Sequence, residues 1–217
     1  MLTHERDIEY FNDFPAPIAR TVQEMHHTNI NSTIPHFGPM LYFLTREIGA
    51  EQVLEIGHAE GYTSHYLAHA VKDNATRFQM AGNKYYGVDI NPGLSDRVRT
   101  ALEAQGLPVD IRTMDSMTLK PDTFGDVMFD LIFQDGCHET DHVVYELETM
   151  YERLKGQGKG YWIMHDVFGP AEEGFHAVKK LIDAGRFNFE YCRIFTPYGL
   201  GIFRKMDGWD ESKRHWV

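Results

Sequence analysis

The stretch from His138 to His142, which reads HETDH, contains residue types at a spacing that can bind zinc. It matches H-E-x-x-H, in which two histidines one helical turn apart hold the metal and the glutamate activates a water molecule for peptide hydrolysis. The chain contains 12 His and 32 acidic residues, so a chance match to so short a pattern is expected. The meaning of the motif therefore depends on the elements around it.

A second candidate for chemistry is the segment VLEIGHAEGYTS, residues 53–64. Gly57 and Gly61 allow the backbone to turn sharply and leave space for a ligand. A dinucleotide-binding loop would read G-x-G-x-x-G, but the middle glycine is missing, and Glu55 and Glu60 would repel a phosphate. Three residues open the helix that follows: Tyr62, Thr63 and Ser64. The loop favours a cationic cofactor without phosphate, such as S-adenosylmethionine (SAM), and disfavours NAD.

The elements that must position these residues alternate between short apolar runs and amphipathic helical patterns. The runs are residues 52–57, 84–90, 109–114, 129–135 and 160–166. Strands that are apolar almost throughout, alternating with amphipathic helices, indicate a parallel sheet covered on both faces. FEYCRIF and LGIFRK, on either side of the turn TPYG, predict an antiparallel hairpin at the sheet edge. We predict an α/β, doubly wound, Rossmann-like fold with a mostly parallel seven-stranded sheet, an antiparallel C-terminal hairpin and helices on both faces.

The chain shows no repeat, low-complexity tract or linker, so a single domain over residues 1–217 is predicted. Two helical patterns come first, over residues 16–28 and 37–49. The predicted organisation is an N-terminal helical cap (1–50), a Rossmann-like core (51–205) and a C-terminal tail (206–217).

Nearly every predicted strand ends in an acidic residue. In a doubly wound sheet, ligands bind beyond the carboxyl ends of the strands. A single acid there often only caps the next helix, but several at one edge of the sheet favour a site. The residues at these ends are Glu55 to Gly61, Asp89, Asp115, Asp135 to His138, His165 and Asp166.

Three segments in this order, VLEIGHAEGYTS, YYGVDINPG and FDLIFQDG, resemble the class I SAM-dependent methyltransferases, over about residues 37–205. The similarity is closest to small metal-dependent O-methyltransferases of the catechol and caffeoyl-CoA type, and to macrocin-type relatives carrying DGxH. It implies that Asp89 accepts hydrogen bonds from the ribose hydroxyls of SAM. The cofactor-binding residues that it implies are Glu55, Gly57, His58, Gly61, Tyr62, Thr63, Ser64, Asp89, Ile90, Asp115, Ser116 and Asp135.

The resemblance also implies a metal and a catalytic base. In those relatives the fourth strand ends in a metal-binding Asp, a catalytic Lys follows three residues later, and the fifth strand ends in Asp-Asn. Here the matching residues are Asp135, His138 and the pair His165 and Asp166. Asp135, His165 and Asp166 would hold a divalent metal, Mg²⁺ or Mn²⁺, and a histidine ligand shifts the preference from Mg²⁺ toward Mn²⁺, Fe²⁺, Co²⁺ or Zn²⁺. His138 would act as the catalytic base, together with Asp135.

Other interpretations of these histidines stay open. His138 can instead cap a helix or bond a backbone carbonyl, and His165 can satisfy a buried strand end without metal. A peptidase needs both histidines of HETDH on one helix, but a strand end and Gly136 directly precede His138, which places it in a loop or a first helical turn. Glu139 and His142 are then expected to point away from the cleft or along its edge. A peptidase with His165 as third ligand remains a remote alternative.

The amino-acid composition limits which binding partners and which cellular compartment are expected. The net charge is −11 and no cluster of Lys and Arg is visible, which disfavours nucleic-acid binding. Two cysteines make a disulfide framework implausible and suggest a reducing compartment. The N-terminus lacks the apolar run of a signal peptide, and nothing resembles a membrane span. We expect a cytoplasmic protein without a membrane partner.

The leading functional hypothesis is a SAM-dependent O-methyltransferase that acts on a hydroxyl of a small-molecule acceptor. If the acceptor chelates a metal, it should carry two adjacent oxygens, as a catechol or a vicinal sugar diol does. Because His replaces the expected Lys, an alternative is a SAM-site protein with altered, hydroxylase-like or non-catalytic function. A homodimer in which residues 1–36 of a neighbour cap the site is also conceivable.

Overall fold

The computed structural model describes residues 37–195 and 198–209. The predicted helix over residues 16–28, most of the N-terminal cap and most of the C-terminal tail lie outside the described residues. The helices are α1 (Phe37–Glu47), α2 (Tyr62–Phe78), α3 (Pro92–Ala104), α4 (Thr140–Met150) and α5 (Glu172–Asp183). The strands are β1 (Gln52–Ile56), β2 (Lys84–Asp89), β3 (Val109–Thr113), β4 (Leu131–Gln134), β5 (Gly160–His165), β6 (Phe189–Ile194) and β7 (Leu200–Lys205).

The seven strands form one sheet in the order β3-β2-β1-β4-β5-β7-β6. Strands β1 to β5 pair in parallel, and β7 is antiparallel to both of its neighbours. The predicted doubly wound, mostly parallel sheet with an antiparallel C-terminal hairpin is confirmed. Within the hairpin, β7 takes the inner position beside β5, so that β6 forms the edge.

Two apolar clusters, one on each face, hold the helices to the sheet. Buried residues of α1, α2 and α3 pack with Val53 and Phe133 on one face. Buried residues of α4 and α5 pack with Leu54, Ile132 and Trp162 on the other. Adjacent residues of one strand point to opposite faces, so a strand buried on both sides must be apolar throughout, as the sequence pattern indicates.

The strand order reverses between β1 and β4, which places their carboxyl ends side by side. Ile56 of β1 pairs with Gln134 of β4, and the Asp135 amide donates to the Ile56 carbonyl at 2.9 Å. Such a reversal opens a crevice beyond the strand ends, because the two connections leave the sheet on opposite faces. The loops that start at Gly57 and Asp135 therefore meet at this point. None of the described helices combines the length and apolar character needed to cross a lipid bilayer.

Candidate functional site

A cavity of about 430 Å³ lies beyond the carboxyl ends of β1, β2 and β4. Six of the predicted cofactor residues line it: Gly57, Asp89, Ile90, Asp115, Ser116 and Asp135. Four further lining residues lie within the predicted strand-end segments, namely Ile56, Ala59, Gly136 and Cys137, and the structure adds Val88, Met114 and His142. The size suits a small-molecule ligand, and the wall combines apolar side chains with a few carboxylates, as ligand sites usually do.

Gly57 is required by the packing of two loops against each other. Its φ is +84°, and a Cβ atom at this position would lie 2.4 Å from the Cα atom of Gly136 and 2.5 Å from the carbonyl oxygen of Asp135. The sequence suggested that a glycine here leaves room for the cofactor. The structure shows that its first effect is to let the loop after β1 approach the end of β4.

The carboxylate of Asp89 is held in the cavity wall by two backbone amides. Its Oδ2 atom accepts a hydrogen bond from the Ala59 amide at 2.9 Å, and its Oδ1 atom accepts one from the Asn91 amide at 2.8 Å. Each carboxylate oxygen can accept more than one hydrogen bond, so both can still receive a hydroxyl from a ligand. Asp115 is anchored in a similar way by the Met117 amide, at 2.9 Å.

Glu55 does not line the cavity but connects the end of β1 to the start of α2 through hydrogen bonds. It is fully buried and accepts hydrogen bonds from the hydroxyls of Thr63, Ser64 (2.6 Å) and Tyr85. Thr63 and Ser64 therefore use their hydroxyls on Glu55 rather than on the cavity. In this structure Glu55, Thr63 and Ser64 support the loop, because the carboxylate needs donors once it is buried. Their contacts with the cofactor stay predictions.

His58 and the residues that open α2 also lie outside the cavity lining. The His58 side chain is buried, with its Nε2 atom 3.2 Å from the Ser95 hydroxyl of α3 and its Nδ1 atom 3.0 Å from the Ala59 carbonyl oxygen. Gly61 has a φ of +84°, and a Cβ atom there would approach Val98 within 2.7 Å. Tyr62 packs edge-on against Tyr66 of its own helix. These three predicted cofactor contacts serve packing in this structure.

Burial raises the pKa of Glu55 to about 7, although the hydrogen bonds from Ser64, Thr63 and Tyr85 lower it. The pKa of Glu55 is higher in the folded protein than in the unfolded chain. The contribution of protonated Glu55 to the free energy of unfolding is therefore fully present below about pH 4.5 and is lost as the pH rises through about 7. We expect the unfolding free energy of the wild type, minus that of Glu55→Gln, to fall by about 3 kcal/mol over this range. Urea unfolding of both proteins at several pH values measures the difference.

Glu60→Gln, which changes an exposed acid of the same loop, is the control, and its unfolding free energy should depend on pH in the same way as that of the wild type. If the unfolding free energies of the wild type and Glu55→Gln changed with pH in the same way, the raised pKa of Glu55 would be contradicted.

Three predicted metal ligands come together where β4 and β5 end. The Nδ1 atom of His165 lies 2.9 Å from Oδ1 of Asp135 and 3.1 Å from Oδ1 of Asp166. One ligand atom from each of the three residues lies within 4.8 Å of the others. Asp166 has a φ of +60°, an uncommon conformation outside glycine. Two carboxylates and an imidazole whose ligand atoms converge in this way fit a divalent ion.

His138 contacts Asp166 of this group and does not act together with His142, as the zinc-peptidase pattern would require. Its Nε2 atom lies 3.0 Å from Oδ2 of Asp166, and this hydrogen bond raises the pKa of His138 against the opposing effect of burial. Burial lowers the pKa of His165, but its contacts with Asp135 and Asp166 outweigh burial, so the net change is upward. Helix-capping does not account for His138, since α4 begins after an N-cap at Glu139.

The HETDH segment does not have the geometry of a zinc peptidase. His138 precedes α4, whereas His142 lies in its first turn, so the two histidines are not on one helix. Of the two expected positions for His142, away from the cleft or along its edge, the structure shows the second, since His142 lines the cavity. Cys137, which the sequence placed at a strand end without assigning it a role, lines the same cavity.

Known proteins confirm the family. A family model described as a methyltransferase domain matches residues 54–167, more than half of the chain. The chain belongs to this methyltransferase family. The recognition of a class I methyltransferase from three sequence segments is therefore confirmed. No curated protein sequence matches the chain significantly.

Solved structures similar to this methyltransferase share its fold. The SAH-bound methyltransferase PaMTH1 from Podospora anserina has a TM-score of 0.70 and 15% identity, over 95% of this chain and 99% of that chain. The O-methyltransferase TomG from Streptomyces achromogenes, solved with SAM, has a TM-score of 0.66 and 18% identity, over 95% and 100%. An O-methyltransferase from Bacillus cereus, in complex with SAH, has a TM-score of 0.63 and 18% identity, over 94% and 93%. SAH is S-adenosylhomocysteine.

Proposed function

We propose that this methyltransferase binds SAM in the 430 Å³ cavity and methylates a hydroxyl oxygen of a small acceptor. The observation that carries the proposal is the position of Asp135. Asp135 lines the cavity, and its carboxylate bonds His165, which belongs to the group that includes Asp166 and His138. The cofactor cavity and the acid–base group thus share one residue.

The cavity has suitable partners for the parts of SAM. Asp89, fixed by two backbone amides, would accept hydrogen bonds from the ribose hydroxyls. Ile90, which is 70% exposed, and Met114 offer apolar surface to the adenine ring. Asp115 and Ser116 also line the cavity and would bond polar atoms at the edge of the ring. When bound, SAM supplies an electrophilic methyl group on sulfur.

His138 would remove the proton from the acceptor. A hydroxyl is a poor nucleophile at neutral pH, so the reaction needs a base within hydrogen-bond reach. Asp166 bonds the Nε2 atom of His138, which leaves Nδ1 to accept the proton. The carboxylate orients the ring and stabilises the imidazolium that forms, as an acid partner does in other histidine-based sites.

Asp135, His165 and Asp166 would hold a divalent ion, which lowers the pKa of a hydroxyl bound to it. The imidazole ligand favours Mn²⁺ and the later transition metals over Mg²⁺. Chelation would favour an acceptor with two adjacent oxygens, because both can approach the same site. The sequence-based expectations of a homodimer, and of no nucleic-acid or membrane partner, remain predictions.

Exposed aromatic residues beside this group favour an aromatic acceptor. Phe168, shortly after β5, stacks on Phe195, which follows β6, with ring centroids 4.5 Å apart. Phe195 is 87% exposed and Tyr198 is 51% exposed. The ends of β5 and β6 lie at the same edge of the sheet, since β7 pairs antiparallel with both. Aromatic surface of this kind binds flat rings, as in a catechol.

The test is methyl transfer from SAM labelled in its methyl group to a panel of catechols, monophenols and sugar diols. We expect a labelled methyl ether from a catechol, loss of product with a chelator, and recovery with Mn²⁺ greater than with Mg²⁺. Binding of SAM without transfer to any oxygen acceptor would instead support a SAM-site protein with altered function.

Asp89→Ala is expected to weaken SAH binding about 10- to 150-fold, corresponding to about 1.5–3 kcal/mol for hydrogen bonds to a charged group. The substitution removes the acceptor for the ribose and also releases the Ala59 amide that shapes the loop. Isothermal titration calorimetry with SAH measures the loss. Asp183→Ala, which removes an exposed acid of α5, is the matched control and should bind normally. An Asp89→Ala protein with wild-type affinity would exclude this residue from the cofactor site.

A further inference from the structure

A second group of metal-binding side chains lies at the start of α4, apart from the Asp135, His165 and Asp166 group. Cys137, Glu139 and His142 each offer one ligand atom, and these atoms lie within 4.8 Å of one another. We propose that they bind Zn²⁺ at the wall of the cofactor cavity. Two of the three ligands, Glu139 and His142, belong to HETDH. The third ligand is Cys137, which directly precedes the motif, and not His138.

The distances suit zinc after small side-chain rotations. Zinc lies about 2.0–2.3 Å from nitrogen, oxygen and sulfur ligands, so ligand atoms around a tetrahedral ion are about 3.3–3.6 Å apart. The Nδ1 atom of His142 is 3.8 Å from Oε2 of Glu139. Cys137 and Glu139 are exposed, so their side chains can move into place without disturbing the core.

The ligand atoms are not committed to other contacts. The Nδ1 atom of His142 is buried and makes no hydrogen bond among the described residues. A buried polar atom without a partner is costly, and coordination would satisfy it. Glu139 is the N-cap residue of α4, yet its side chain makes no capping hydrogen bond, so its carboxylate remains available. His138, in contrast, is held by Asp166.

The ligand types select zinc over the hard cations. A thiolate prefers Zn²⁺ to Mg²⁺, whereas the Asp135, His165 and Asp166 group has only oxygen and nitrogen ligands. Three protein ligands leave a fourth position to water. Because only the Cys137 site has a sulfur ligand, spectroscopy can distinguish the two sites.

Zinc bound here should oppose cofactor binding. Cys137 and His142 both line the cavity, so an ion between them narrows the space that the proposed function assigns to SAM. The coupling is reciprocal, because a ligand that weakens another is itself weakened by the same factor. This coupling rests on the proposed function, whereas the metal site itself does not.

Titration with Co²⁺ as a spectroscopic substitute for Zn²⁺ tests the site. A thiolate bound to Co²⁺ gives an intense near-ultraviolet charge-transfer band, and oxygen and nitrogen ligands alone do not. We expect the band in the wild type, its removal by Zn²⁺, and its loss in Cys137→Ser. His142→Ala should weaken binding by at least about 10-fold, since changes even outside the ligand shell can cost that much. Cys192→Ser, which alters the other exposed cysteine, should keep the band. No band in the wild type, or a band that survives Cys137→Ser, would overturn the proposal.

Calorimetry with SAH, with and without equimolar Zn²⁺, tests the coupling. We expect zinc to lower SAH affinity by at least about 10-fold in the wild type, within the usual range of coupling between sites, and to have no effect on the SAH affinity of Cys137→Ser. An unchanged wild-type affinity, together with a cobalt–thiolate band, would overturn the coupling but keep the metal site. Failure of SAH to bind without zinc would contradict the proposed cofactor site, and the cobalt band would still decide the metal site.

Discussion

The His138→Ala enzyme is expected to turn over about 10²–10⁴-fold more slowly than the wild type, the usual loss for a general base. Its affinity for SAH should stay nearly unchanged, because His138 is not among the residues that line the 430 Å³ cavity. The Nε2 atom of His138 lies 3.0 Å from Asp166, an arrangement that orients the ring and leaves Nδ1 for the acceptor proton. Single-turnover rates with labelled SAM, together with calorimetry, separate chemistry from binding.

His176→Ala is the matched control, since it removes an exposed histidine of α5 that faces Glu172 at 3.8 Å. Its rate should equal that of the wild type. Asp166→Asn should also lower the rate, because the amide cannot stabilise the imidazolium as a carboxylate does. A His138→Ala enzyme with at least half the wild-type rate would remove His138 from the mechanism. A loss of SAH affinity would instead point to a structural role.

Gly57→Val is expected to abolish SAH binding, and Gly57→Ala should already reduce it severely. Any Cβ atom at this position would overlap the backbone of Gly136 at 2.4 Å and the Asp135 carbonyl oxygen at 2.5 Å. A backbone cannot rotate away as a side chain can, so the ends of β1 and β4 would have to separate. That movement would displace both sides of the cavity and lower the stability of the fold, contrary to the simpler expectation that only cofactor space is lost.

Gly82→Ala provides the control for the backbone conformation alone. Gly82 has a φ of +90°, similar to Gly57, but a Cβ atom there would meet nothing within 4 Å. Its substitution should cost only about 1–2 kcal/mol, the penalty for a left-handed conformation, and should leave SAH affinity intact. Urea unfolding and calorimetry on both variants give the comparison. Wild-type SAH affinity in Gly57→Ala would show that this loop does not shape the cofactor site.

The sequence by itself determined the order and type of the core elements and the edge of the sheet that carries the site. Apolar runs of strand length alternate with amphipathic helices, and parallel strands necessarily end on one edge. Asp89, Asp115 and Asp135 therefore had to lie near one another, and the structure places all three in the cavity wall. The family followed from the same segments, because their order along the chain is specific.

Only the tertiary structure decided which of these residues line the cavity. The buried carboxylate of Glu55 is satisfied by Tyr85 of the neighbouring strand, which donates a hydrogen bond to it, and His58 lies against Ser95 of α3. Likewise, the contact of His138 with Asp166 depends on β4 lying beside β5. Local periodicity specifies whether a residue belongs to a strand, a helix or a loop. The direction in which a loop side chain points is set by partners far away in sequence, which become neighbours only when the sheet has formed.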